Sequence, residues 1–207
     1  MDVTRFIEIA AAVHPLLDYI HLREKARSAR ELMGMTAGLR QAGVPAAKLI
    51  INDRLDVALA AGAGGVQLAW HSLQPAAARS AAPNLRMGLS VHSAGEAAEA
   101  GRQGADYCLY GHVFPSACKP GQAGRGLQQL GEAVRSSRIP LIAIGGIEPG
   151  NTLRILQEGA AGIAVMSGIC SAADPVTAAR RYRSAVDAAG TGMPLTSKEV
   201  NWHESDH

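Results

Sequence analysis

Aromatic side chains are scarce in this 207-residue sequence, which has two Phe, two Trp and four Tyr. That scarcity argues against the stacking platforms on which single-stranded nucleic acids are held. Charge is nearly balanced, at a formal +2, and no run of like charge makes a basic patch, so a nucleic-acid partner is not expected. The three cysteines, Cys108, Cys118 and Cys170, are odd in number and show no CxxC spacing. They suggest neither a disulfide framework nor a zinc site, and a reducing cytoplasm is the plain expectation. No apolar segment approaches the ~18 residues that a membrane span needs. The opening "MDVTRFIEIAAAVHP" has neither a basic leader region nor a cleavage motif, so no membrane partner is expected.

Alanine and glycine, by contrast, are abundant, and a repeated unit dominates the chain. A short apolar run is followed by an Ala-rich segment of helical length, then Gly, then the next run. Strands are predicted at 18–24, 48–53, 65–70, 86–92, 107–114, 140–147 and 162–169. Several are apolar on both faces, as parallel strands covered by helices are. Ser93 with Glu96 reads as a capping box and Gly104 as the close of that helix. Asp174 before Pro175 reads as an N-cap, and Gly159 as the end of a helix opening near Pro149. This alternation predicts an α/β fold, a (β/α)8 TIM barrel rather than an open sheet, as a single domain over 1–189. Only seven strands are read, and a helix at about 4–13 comes first, so the barrel is expected to lack its first strand through a late start or truncation. Its open edge would favour self-association into a homo-oligomer. The segment 190–207 has no apolar periodicity and is expected to be a mobile tail.

In such barrels function sits at the C-terminal ends of the strands. "AIGGI" (143–147) and "VMSGI" (165–169) end the last two predicted strands. Gly145, Gly146, Ser167 and Gly168 there are candidates to hold a phosphate with backbone N–H groups, against the plainer reading of two tight turns. His21, Arg23 and Lys25 follow a period of two and so are expected on one face, which needs an anion. That anion is either an internal partner such as Asp53 or a ligand held by Arg23. Asn52 and Asp53 end the next strand; Asn52 is a substrate-binding candidate, while Asp53 could equally cap the following helix. Ser90 and His92 share a face, with Ser90 read as a hydrogen-bonding group rather than a nucleophile, since no strained elbow surrounds it. Lys119, set among Gly121, Gly124 and Gly126, suggests an anion-binding lid, the alternative being a solvated loop. His112 is either a structural histidine or, at the barrel mouth opposite the glycine turns, an acid–base catalyst.

"HLREK", "LIINDRLDVALAAGAGGVQL", "GLSVHS", "DYCLYGHVF", "PLIAIGGI" and "GIAVMSGI" together resemble the thiamine phosphate synthase/TenI superfamily, over about residues 15–185. The resemblance implies one of two activities. A synthase would carry an acidic Mg2+ ligand just after "VQLAW", where this chain has His71-Ser72-Leu73. It would also carry a G-P-[IV]-F-x-T-x-T-K loop, where this chain reads "GHVFPSACK". Those departures make the resemblance closest to TenI, the thiazole tautomerase. The implied reaction is aromatisation of a phosphorylated thiazole carboxylate tautomer, with His112 shuttling the proton, the glycine turns holding the phosphate, and Arg23 or Lys119 meeting the other anionic end. No metal or organic cofactor is implied by that reading. A thiamine phosphate synthase, which is a Mg2+-dependent transferase, and a non-catalytic phosphate-ligand binder are the alternatives.

Overall fold

The apolar runs become strands and the Ala-rich segments become helices. The computed structural model describes residues 2–116 and 121–190. Along the chain lie α1 (Val3–Val13), β1 (Ile20–Leu22), α2 (Ala29–Gln41), β2 (Leu49–Asn52), α3 (Leu55–Ala61), β3 (Gly65–Leu68), α4 (Pro75–Ala81) and β4 (Arg86–Val91). They are followed by α5 (Ala94–Ala100), β5 (Tyr107–Gly111), α6 (Gly126–Ser136), β6 (Leu141–Ile144), α7 (Pro149–Gln157), β7 (Gly162–Ala164), α8 (Ser167–Cys170) and α9 (Pro175–Ala188). All seven strands pair in parallel in the order β1 to β7, forming a curled half-barrel whose end strands are β1 and β7. The helical layer bridges those two ends, because α1 packs against both α2 and α9.

Two departures from the expected strands have physical causes. β1 stops at Leu22, so Arg23 and Lys25 leave the strand's period of two and lie exposed in the following loop instead of sharing the face of His21. The apolar run 162–169 splits, with β7 ending at Ala164 and Ser167–Cys170 turning into α8. A short apolar run does not distinguish strand from buried helix by periodicity alone. The N-caps form, with Ser93 Oγ accepting from Glu96 N at 3.2 Å and Asp174 Oδ1 from Thr177 N at 3.0 Å, but the expected capping box does not close, because the Glu96 carboxylate accepts from His92 N at 2.6 Å instead of Ser93 N. Lys119 and the tail from 191 lie outside the described residues.

Strand alternation sorts the side chains. Leu22, Leu49, Ile51, Val66, Leu68 and Met87 point outward into the core beneath the helices, each at 2% exposure or less. Burying one such side chain stabilises the fold by about 1.5–3 kcal/mol. The alternate residues His21, Asn52, Gln67, Ser90 and Tyr107 line the concave face, which leads to the mouth at the strands' C-terminal ends.

Candidate active site

A cavity of about 430 Å³ opens at the C-terminal ends of β1–β3. Glu24, Lys25 and Arg27 enter it from the loop after β1, with Asn52, Asp53 and Arg54 at the end of β2 and just beyond, and Trp70 and His71 after β3. Asp53 has a positive φ of 67°, which short polar side chains tolerate better than most. It does not cap α3: Arg54 takes the N-cap position without a side-chain cap bond. Its carboxylate instead faces His71, with Oδ2 3.9 Å from Nε2. Arg27 is bound to Glu31 at 2.8 Å, and Arg54 to Asp56 through Nε at 2.9 Å. Hydrogen bonds from that guanidinium hold the Asp56 carboxyl below the usual carboxylate range. Lys25 has no hydrogen-bond or ion-pair partner among the described residues. Trp70 is 88% exposed and meets His71 edge to face, with ring centroids 5.3 Å apart.

Deeper on the concave face lies a polar layer. Gln67 is buried and donates from Nε2 to Ser90 Oγ at 3.1 Å. Gln67 Oε1 and the Tyr107 hydroxyl are both buried without a hydrogen-bond partner. Gly88 makes room for them, since a Cβ there would collide with the Tyr107 ring and with Gln67 Oε1. Burial raises the Tyr107 hydroxyl pKa strongly, so it stays a donor. Burial also pushes His21 down to about 4, leaving its imidazole neutral near pH 7. Sequence reasoning passed over Gln67 and Tyr107. The signal available was polar residues at inward-facing positions of otherwise apolar strands, the pattern "GVQLA" above all.

Across the mouth, the turns after β6 and β7 are neighbours because Ile144 pairs with Ala164. Gly145 and Gly146 have φ of 102° and 64°, which glycine adopts freely. The N–H groups of Gly146, Ser167 and Gly168 have no turn or loop acceptor among the described residues. The structure thus brings the four phosphate candidates into adjoining turns. His112 lies directly against Gly145 and is 7% exposed, with Nε2 3.4 Å from the Gln122 carbonyl and Nδ1 buried without a partner. The segment 121–126 therefore covers it: Arg125 N donates to the His112 carbonyl at 3.0 Å, and Arg125 Nε to the Gly111 carbonyl at 3.1 Å. His92 Nδ1 lies 2.8 Å from the same Gly111 oxygen. Arg23 is exposed at the β1 side of the mouth, Asn52 lines the cavity, and Ser90 belongs to the polar layer below.

The carboxylates that could meet Mg2+ at this cavity are Asp53 and Glu24. That ion demands octahedral oxygen ligands, usually with carboxylates among them. Among the described residues no three His, Cys, Asp or Glu side chains converge as metal ligands. Asp53 faces the His71 imidazole, and Lys25, Arg27 and Arg54 line the same cavity together with Glu24.

Comparison with known proteins settles the family. The family model described as thiamine monophosphate synthase matches residues 2–169. The thiamine-phosphate synthase of Chlorobium luteolum is 43% identical over 179 residues, covering 84% of this chain and 83% of that protein. That of Pyrococcus furiosus is 40% identical over 169 residues, covering 81% and 82%. The solved thiamine phosphate pyrophosphorylase from Pyrococcus furiosus superposes with a TM-score of 0.78 at 34% identity, over 91% of both chains. A 3-hexulose-6-phosphate synthase, with a TM-score of 0.73 and 23% identity, shares the fold alone. These relatives overturn the expected thiazole tautomerase and, with it, the isomerase class, because the proteins that match are named as synthases, which are transferases. That expectation gave two local departures, His112 and the absent carboxylate, more weight than a likeness running through four fifths of the chain. This chain belongs to the thiamine monophosphate synthase family.

Proposed function

We propose that the chain is a transferase of the thiamine-phosphate synthase kind, joining a thiazole phosphate to a pyrimidine diphosphate with loss of diphosphate. The observation that carries this reading is the roughly 40% identity to named synthases over about four fifths of the chain. The mouth supports it by offering two separate regions suited to anions, as two phosphorylated substrates require. The exposed cations Arg23 and Lys25 would meet the diphosphate, with Asn52 donating from the cavity wall. The turns carrying Gly145, Gly146, Ser167 and Gly168 would hold the thiazole phosphate through backbone N–H groups. Lys119, outside the described residues, is the substrate-binding candidate offered by the sequence alone. Ser90 and Gln67 would present hydrogen-bonding groups to the rings from below. His112 is placed to brace Gly145 and so to position the phosphate turn.

The test is an assay with both substrates and the full chain, following thiamine phosphate and released diphosphate together. Stoichiometric formation of the two products is expected. No product under any divalent-cation condition would dispose of the reading.

A further inference from the structure

We propose that Arg125 is a positioning residue for the turn after β6: its side chain fastens residues 121–126 across the end of β5 and so holds the backbone of Gly145 and Gly146 in shape. This rests on the function proposed above, which gives that turn the thiazole phosphate.

Three layers of backbone are stacked on this side of the mouth. The turn carrying Gly145 and Gly146 is the first. Residues 112–115 form the middle layer and extend the pairing of β5 with β6, since Val113 N donates to the Ile144 carbonyl and Phe114 N to that of Gly145, both at 3.0 Å. The approach is so close that a Cβ on Gly146 would meet the Pro115 carbonyl oxygen at 2.5 Å. Residues 124–126 form the outer layer. A Cβ on Gly124 would lie 2.6 Å from the Val113 carbonyl oxygen, and Gly126 N donates to that oxygen at 2.9 Å. A displacement of the outer layer therefore reaches the phosphate turn through one intervening segment.

Backbone bonds from positions 125 and 126 are open to any sequence. What Arg125 adds is Nε, which donates to the Gly111 carbonyl at 3.1 Å from a half-buried side chain. His92 Nδ1 lies 2.8 Å from the same oxygen, and because a carbonyl only accepts, that nitrogen carries the proton. His92 is itself tied to α5, its N–H donating to Glu96 Oε2 at 2.6 Å. The Gly111 oxygen is thus a fastening point shared by the outer layer, the end of β4 and the end of β5. Backbone donors aimed at a phosphate lose their hold when shifted by about 0.5 Å. Residues lining the β1–β3 cavity make no hydrogen bond to this stack among the described residues, so loosening it should be felt by one substrate only.

The experiment compares Arg125→Met, Arg125→Gln and wild type, each as the full chain. Glutamine places its Nε2 donor where the arginine Nε sits, without the charge, whereas methionine keeps the stem and removes both. Calorimetry with the thiazole phosphate should show Arg125→Met binding at least about threefold more weakly, and Arg125→Gln within about twofold of wild type. In steady state Arg125→Met should raise KM for the thiazole phosphate by the same factor, leaving kcat and KM for the pyrimidine diphosphate within about twofold. Circular dichroism verifies folding. Should Arg125→Met not fold, Gly124→Ala disturbs the same stack without touching a charge and should give the same selective loss. Binding by Arg125→Gln as weak as by Arg125→Met would assign the effect to charge and overturn the proposal. So would a loss shared by both substrates, unchanged binding in Arg125→Met, or no binding of the thiazole phosphate by wild type. The selective binding pattern with no thiamine phosphate formed would sink the proposed function and leave this inference standing; turnover with no difference among the variants would do the reverse.

Discussion

Gly145 and Gly150 lie five residues apart, and alanine at the two positions should act in opposite directions. At Gly145 φ is 102°, and a Cβ would sit 2.8 Å from the His112 Cα and closer still to its Cβ. Placing an L-residue in that backbone region costs about 1–2 kcal/mol. Overpacking against a buried neighbour adds about 1–3 kcal/mol, because His112 is held by the 121–126 segment and has little room to retreat. The sum is a destabilisation of about 2–5 kcal/mol. For a chain of this length each kcal/mol moves Tm by about 2–4 °C, so Gly145→Ala should melt roughly 4–20 °C lower. Gly150 is exposed, lies in the first turn of α7 and has nothing within 4 Å of its would-be Cβ. There alanine should stabilise by about 0.5–1 kcal/mol, raising Tm by roughly 1–3 °C. Thermal unfolding followed by circular dichroism distinguishes the two, and urea midpoints check the sign independently. A Gly145→Ala protein melting within a degree of wild type would refute the argument that His112 and the turn after β6 are locked together. The phosphate turn would then be looser than the packing implies.

Two further outcomes follow from the packing. His21 is pushed down to about 4 in the fold, against an ordinary value of 6.5. The unfolded chain therefore takes the proton first, so stability should fall as pH drops from about 6.5 towards 4, by roughly 2 kcal/mol between pH 7 and pH 5. Urea titrations across that range should show the slope in wild type and its reduction in His21→Gln; an unchanged slope would place the titrating group elsewhere. Arg79 donates to the carbonyls of Pro83, Leu85 and Gly104 and to Asp106 at 2.8 Å, while Asp106 also accepts from Met87 N at 2.7 Å. Arg79→Ala should cost about 2–4 kcal/mol by leaving a largely buried carboxylate and several carbonyls without a donor. Its equilibrium unfolding measures that directly, and a loss below about 0.5 kcal/mol would mean that water replaces the guanidinium at no cost.

How much was legible in the sequence can be argued from single residues. Ile51 and Leu68 announced strands because both faces of a covered parallel strand are apolar, and the seven strands appear where those runs lie. Gly145 and Gly146 announced a turn, and positive φ values are found at both. The end of the last run was not legible: "VMSGI" continues an apolar pattern, yet Ser167 opens a helix there. Lys25 was misplaced for a related reason. Its two-residue spacing from Arg23 reads as a strand face only if the strand continues, and β1 stops at Leu22. The superfamily was legible from motifs over residues 15–185, but the activity was misjudged because His112 and the missing acid after β3 were weighed above that likeness, and the relatives that match over about four fifths of the chain are named as synthases.

By itself the sequence determined the alternation of strand and helix, the caps at Ser93 and Asp174, and the glycine turns after β6 and β7. These depend on backbone propensity and on periodicities of two and 3.6, which neighbouring residues set among themselves. Only the tertiary structure decided that His71 faces Asp53, that Tyr107 and Gln67 converge over Gly88, and that His112 lies buried against Gly145. Each of those pairs comes from different strands or from the loops that follow them. Their meeting is set by the register and curl of the sheet, which no local pattern encodes.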